Sequence, residues 1–85
     1  MLIMRRLINI LEGNPIKKKE VEILSHIKQL RLKKGISQYD LGKKLGISQN
    51  AYYKIEKGQT KLDLQRLIQL SFIFETSLSS LIDGI

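Results

Sequence analysis

Hydrophobic residues recur every three or four positions along most of the chain, which is the spacing of amphipathic helices and not the alternation typical of strands. Polar and glycine-containing breaks separate these segments and mark where each helix begins and ends. The pattern predicts an all-α fold with five helices, at positions 15–34, 38–44, 49–57, 63–74 and 78–83. An apolar segment, residues 2–12, precedes them.

Polar residues that can cap a helix stand before four of the predicted helices, at Asn14, Ser37, Ser48 and Ser77, and Asp63 or a neighbour starts the remaining one. A glycine follows the end of four predicted helices, at Gly35, Gly46, Gly58 and Gly84. The first helix has an apolar face of Ile16, Val21, Ile23, Leu24, Ile27 and Leu30. The fourth has Leu64, Leu67, Ile68 and Leu70 at helical spacing, and in the fifth we expect Leu78, Leu81 and Ile82 to face inward.

Residues 2–12 carry apolar side chains at Ile3, Met4, Leu7, Ile8, Ile10 and Leu11. We expect a short helix here; an extended arm that pairs with a second copy is the alternative. Either form would expose more apolar surface than a free tail should, so we expect it to pack on the bundle or on another subunit. We therefore divide the chain into an N-terminal extension, residues 1–22, and a domain, residues 23–85.

The stretch from Ser37 to Gly58 predicts two short helices joined by a tight turn at residues 45–47. Its expected inner face consists of Leu41, Leu45, Ile47, Tyr52 and Ile55. Gly42 lies inside a helix, where glycine costs about 1 kcal/mol relative to alanine. That cost indicates a close approach of the following helix; an ordinary surface glycine is the alternative.

The outward residues of this helix pair suit the major groove of DNA. Gln49 and Asn50 are amides that can hydrogen-bond an adenine edge, and Tyr53 and Lys54 share their face one turn later. We expect these four residues to contact bases. We expect phosphate contacts from the two helix starts and from the loop after the second helix, where backbone N–H groups and cations would serve: Ser37, Gln38, Ser48, Lys57, Gln59, Thr60 and Lys61.

The positive charge of the chain is concentrated around the same helix pair. The net charge of the 85 residues is +7, and residues 27–61 alone hold nine cations against two acids. Residues 1–26 carry +2 and residues 62–85 carry −2. This placement favours a polyanionic partner, double-stranded DNA; a lysine-rich surface that only maintains solubility is the alternative.

Several classes of function are disfavoured by the residues present. The chain has no cysteine and one histidine, His26, so we expect no metal site and no cofactor. The acids are scattered and no phosphate-binding glycine loop is present, so we expect no enzyme activity. Residues 2–12 contain arginines and lack a cleavage site, and no apolar run could span a bilayer, so we expect a cytoplasmic protein without membrane contact.

Residues 27–82 resemble the helix-turn-helix domain of the phage Cro and C1 repressors and the related Xre-type regulators. The residues that carry the resemblance are LRLKKGISQYDLGKKLGIS, NAYYKIEKG and LQRLIQLSFIFETSLSSLI. The resemblance implies a five-helix, lambda-repressor-like bundle that binds operator DNA, usually as a dimer on two-fold related half-sites. It does not extend to residues 1–22.

The resemblance also implies roles for single residues. Gln38 would contact phosphate and brace Gln49, and Arg31 and Glu56 would form a structural ion pair. The chain departs from the family pattern at Gly42, where alanine is usual, and at the adjacent pair Tyr52 and Tyr53. We expect Tyr52 to be buried and Tyr53 to stack on a sugar or touch a thymine methyl group.

Two functions follow from this reading. The first is a sequence-specific transcriptional regulator, a repressor that binds a palindromic operator as a homodimer. The alternative is the antitoxin of a toxin–antitoxin pair, which would dock a toxin or another protein through residues 1–22 and bind its own promoter as well.

Overall fold

The computed structural model describes residues 13–85, which form five helices. They are α1 (Pro15–Lys33), α2 (Gln38–Leu45), α3 (Gln49–Glu56), α4 (Leu64–Ile73) and α5 (Leu78–Asp83). Within these residues the all-α fold expected of a lambda-repressor-like bundle is confirmed, with helix ends within one residue of the predicted ones. The predicted helix at residues 2–12 lies outside the described part.

Each helix begins at a capping residue, and four of these five residues are the caps that the sequence predicts. The side chain of Asn14 accepts hydrogen bonds from the amides of Ile16 and Lys17, with Pro15 in the first turn. The side chains of Ser37, Ser48, Asp63 and Ser77 each accept a bond from the amide three residues ahead. These bonds satisfy amides that have no partner inside the helix, which fixes the helix starts locally.

The core lies where all five helices meet. Its buried apolar members are Ile27, Leu41, Leu45, Tyr52, Leu70, Phe74 and Leu81. Helix α1 packs on α3 and α5, α2 packs on α3 and α4, and α4 packs on α5. The expected burial of Leu41, Leu45, Tyr52 and Ile55 is confirmed, and Ile47 packs against the cluster as a half-buried residue.

Some residues of the predicted apolar faces do not lie against the core. Ile16 and Val21 on α1, and Leu64 and Ile68 on α4, are exposed. The expectation that Leu78 faces inward was wrong, because it is also exposed, whereas Leu81 is buried and Ile82 half-buried. Helical spacing identifies a common face, but only a neighbouring element can cover it. Within residues 13–85, no helix is both long and apolar enough to span a membrane.

Candidate nucleic-acid interface

The turn between α2 and α3 is tight and depends on two glycines. Gly46 ends α2 in the left-handed conformation, with φ of +75°, and the amide of Ile47 donates to the carbonyl of Gly42 at 2.9 Å. A Cβ atom at Gly42 would lie 3.0 Å from the backbone oxygen of Ser48. The close approach predicted for Gly42 is therefore confirmed, and it lets the start of α3 pack directly on α2.

The outward face of α3 carries the residues predicted to contact bases. Gln49, Asn50, Tyr53 and Lys54 are all exposed, at spacings that put them on one side of the helix. The ammonium nitrogen of Lys57 lies 5.7 Å from the centre of the Tyr53 ring, a cation–π distance. The face therefore presents amide, phenol and ammonium groups, all of which can donate hydrogen bonds to base edges or phosphates.

The starts of α2 and α3 retain hydrogen-bond donors. The cap Oγ of Ser37 accepts from the amide of Asp40, and that of Ser48 accepts from Ala51, so each hydroxyl hydrogen remains able to donate. The first two amides of each helix precede its first intrahelical bond. Among the described residues, both helix starts therefore have N–H groups suited to an anion.

The loop after α3 differs from the expectation. The amides of Gln59 and Thr60 both donate to the carbonyl of Lys54, at 2.8 and 3.2 Å. Because this turn uses both N–H groups, Gln59 and Thr60 have only their exposed side chains available for a phosphate contact. Lys57 and Lys61 are also exposed, and their ammonium groups are available. The expected backbone donation by Gln59 and Thr60 was wrong in this structure.

A buried hydrogen-bond network fixes α3 against α1. The guanidinium of Arg31 donates to both oxygens of Glu56, from Nε at 3.0 Å and from Nη2 at 3.1 Å, and its Nη1 donates to the carbonyl of Ile36. The two side chains are only 8% and 3% exposed. The hydroxyl of Tyr52 and the amide nitrogen of Gln38 also donate to Glu56. Four donors from three helices therefore meet at one carboxylate.

The network shifts the protonation of its members. Burial opposes the charge of Glu56, but the bonds from Arg31, Tyr52 and Gln38 outweigh it and hold the pKa of Glu56 below its usual value. Burial, together with the bond to Glu56, raises the pKa of Tyr52. The bond to Glu56 raises the pKa of Arg31 despite burial. At neutral pH the network therefore contains a charged Arg31–Glu56 pair and a neutral tyrosine.

The buried Arg31–Glu56 pair contributes one charge of each sign, so the exposed residues of this region keep the same net charge. Eight lysines of residues 27–61 are exposed, against the single exposed acid Asp40, which is again a balance of +7. Residues 27–61 therefore offer a polyanion many exposed ammonium groups and a single exposed carboxylate.

Comparison with known proteins agrees with this geometry. The family model for helix-turn-helix proteins matches residues 27–81, about two thirds of the chain. The chain belongs to the Cro/C1-type helix-turn-helix family. The family consists of DNA-binding transcriptional regulators, so the protein is a DNA-binding regulator in this general sense. No curated protein and no solved structure shows a significant match.

In terms of the helix-turn-helix family, α2 and α3 are the two helices of the motif. Among residues 13–85, no three potential metal ligands are grouped.

The sequence reasoning missed two contacts that hold the motif in place. Tyr52 bonds Glu56, four residues ahead, and that spacing was the available signal. Arg66 of α4 donates to the carbonyl of Leu45 at 3.1 Å, and no local pattern indicates such a contact.

Proposed function

We propose that the protein is a repressor that binds a palindromic operator as a homodimer, with α3 in the major groove of each half-site. The observation that carries the proposal is the exposed row of amide, phenol and ammonium groups on α3. This row lies within a basic region of the chain and on a helix held rigidly by the Glu56 network. A rigid helix keeps its side chains in one register against the base edges, which sequence-specific binding requires.

In this proposal, bases are contacted by Gln49, Asn50, Tyr53 and Lys54. Phosphates are contacted by Ser37, Gln38, Ser48, Lys57, Gln59, Thr60 and Lys61. Residues 23–85 are the DNA-binding domain and residues 1–22 the extension. The protein acts in the cytoplasm, without a cofactor and without enzyme activity.

The experiment that tests the proposal starts with selection of bound sites from random double-stranded DNA. The parent should select a short inverted repeat, and Gln49→Ala should lose about 1–3 kcal/mol on that site while accepting more sequences at one position. Gln29→Ala is the matched control, because Gln29 is an exposed glutamine on α1. If Gln49→Ala bound every sequence as well as the parent does, the base-reading role would be wrong.

A second candidate is an antitoxin that docks a toxin through residues 1–22 and also binds its own promoter. It is favoured by Ile16 and Val21, which leave an apolar surface exposed on α1 within that segment. If a toxin gene lies beside this one, co-expression should give a complex that Ile16→Glu weakens. A complex insensitive to this change, or no complex, would exclude docking at this surface.

A further inference from the structure

A groove runs along the outside of the bundle between α1 and the end of α3. Its floor consists of Val21, which is 56% exposed, and the half-buried Leu24, and Lys17 and Lys28 lie at its two ends. These four residues follow one another at intervals of four, three and four positions along α1. They therefore form one stripe of about three helical turns, roughly 16 Å long.

The turn that follows α3 forms the second wall of the groove, with Lys57 and Gly58. A Cβ atom at Gly58 would lie 3.5 Å from Cδ1 of Leu24, so the backbone of the turn lies close to the floor. The cavity between the two walls has a volume of about 250 Å³. Small-molecule sites usually measure about 300–1,000 Å³, so this groove suits the side chains of a protein segment better than a whole small ligand.

The charges around the groove are mainly positive. Lys28 and Lys57 are exposed, and within residues 13–85 neither of them pairs with an acid. The exposed acid of the groove, Glu20, pairs with Lys17 at 3.8 Å, and the carboxylate of Glu56 is part of the buried network. Three exposed lysines against one exposed glutamate leave a balance of +2 beside the apolar floor.

We propose that this groove binds an acidic amphipathic helix of another protein. Apolar side chains of that helix would cover the floor, and its carboxylates would pair with Lys28 and Lys57, as in other proteins that hold a helix in a groove. DNA would use the lysines but leave the apolar floor uncovered, and a flat lipid surface cannot enter between two walls. Residues 1–12 of the chain itself contain two arginines and one glutamate, so their charge does not match the groove.

This inference goes beyond the proposed function, because it identifies the chemistry of a partner and a surface that joins α1 to α3. One consequence rests on the proposed function. Lys57 is a proposed phosphate contact, and its ammonium nitrogen lies 5.7 Å from the centre of the Tyr53 ring, beside the proposed base contacts. Its flexible side chain can serve either the operator or the groove. The acidic helix and the operator should therefore weaken the binding of each other.

The test is a nuclear magnetic resonance titration of the isotope-labelled full chain with a synthetic helix that has leucines along one face and glutamates beside them. The probe should shift the amide signals of Val21, Leu24, Lys28 and Gly58. Val21→Glu and Lys28→Glu should each weaken its binding at least about 10-fold, because like charges would meet. Leu32→Glu is the matched control, because Leu32 is 58% exposed on the same helix but lies outside the groove. All three positions are exposed, so the variants should keep the folded spectrum of the parent.

Two altered probes separate the contributions of charge and apolar contact. Replacing the leucines of the probe with serine should weaken binding at least about 10-fold, and replacing its glutamates with lysine should abolish it. Equal binding of the serine probe, no shift at the groove with the acidic probe, or equal weakening by Leu32→Glu would each overturn the assignment. The same shifts on adding phosphatidylglycerol vesicles or an unrelated DNA duplex would assign the groove to a lipid surface or to DNA instead.

DNA binding separates this proposal from the proposed function. The acidic probe should displace the parent from its selected operator, and Val21→Glu should resist that displacement. If the probe binds the groove but does not displace the operator, the groove assignment stands and the phosphate role of Lys57 is wrong. If the probe binds but the parent selects no DNA sequence, the groove assignment stands and the proposed function fails.

Discussion

Replacing Glu56 tests the physical basis of the whole helix-turn-helix arrangement. Its carboxylate accepts hydrogen bonds from Arg31, Tyr52 and Gln38 in a site that is almost closed to solvent. Glu56→Ala would leave the buried guanidinium without its counter-charge, and breaking a buried pair in this way costs about 3–5 kcal/mol. A domain of this size unfolds with roughly 4–13 kcal/mol, so the loss should remove a large fraction of the stability and lower the melting temperature of the variant strongly.

Glu56→Gln is the more informative change because it keeps the volume and one acceptor oxygen. It removes the charge and replaces the other oxygen with an NH2 group, which cannot accept a hydrogen bond from the donors that face it. Hydrogen bonds to a charged group contribute about 1.5–3 kcal/mol, so we expect a loss of at least about that size at pH 7. The pKa of Glu56 is lowered in the folded protein from its ordinary value of 4.5. The stabilisation by its charge is therefore complete above about pH 4.5 and is lost as the pH falls through the lower, folded pKa.

The assay is urea unfolding followed by circular dichroism between pH 3 and pH 7. The difference in unfolding free energy between the parent and Glu56→Gln should be constant near neutral pH and should shrink below about pH 4.5. The control is Glu20→Gln, whose carboxylate pairs with Lys17 at 3.8 Å on the surface and should change stability by less than about 0.5 kcal/mol. If both variants unfolded at the same urea concentration, the assigned role of the Glu56 network would be refuted.

Three further changes test separate parts of the motif. Gly42→Ala should alter the unfolding free energy by less than about 1 kcal/mol, because better helix propensity offsets the contact with Ser48. Gly42→Val should lose at least about 2 kcal/mol in thermal denaturation, because its larger side chain cannot fit against the same backbone. Equal melting temperatures of the two variants would contradict the close approach. Tyr52→Phe should lose about 0.5–1.5 kcal/mol in urea, because only the hydroxyl bond to Glu56 is removed, and a loss above 3 kcal/mol would mean that the ring packing also fails. Lys61→Ala should weaken binding to all DNA sequences alike and reduce the salt slope by about 1; an effect confined to one base position would reject a phosphate role.

Features decided by local chemistry could be predicted from the sequence. The caps at Asn14, Ser37 and Ser48 depend only on a side chain and the amides two or three residues ahead, and all three form as expected. Gly42 was identified for a related reason, because an unfavourable residue in a helix needs a compensating contact. The burial of Tyr52 followed from its spacing to Ile55, which lies on the same inner face.

Features decided by distant neighbours could not be predicted in this way. The spacing of Leu64 and Ile68 defines a face of α4, but whether another helix covers that face depends on the crossing of all five helices. The amides of Gln59 and Thr60 are used by a carbonyl of the preceding helix, which is a property of the folded turn. The contact between Arg66 and the carbonyl of Leu45 joins positions 21 residues apart, and no sequence pattern specifies it.

The network leaves Gln38 free to make the phosphate contact that we propose for it. In this structure its amide nitrogen lies 3.3 Å from Oε1 of Glu56, which is long for a hydrogen bond, and no hydrogen bond joins its side chain to Gln49. If Gln38 turned outward, Oε1 would still accept from Nη2 of Arg31, and Oε2 from Nε of Arg31 and the hydroxyl of Tyr52. Neither oxygen would be left unsatisfied, so release of Gln38 should cost about 1 kcal/mol or less. Arg31 and Tyr52 have no such freedom, because both are buried. The same carboxylate can therefore hold α3 in place even when Gln38 turns outward, as the proposed phosphate contact requires.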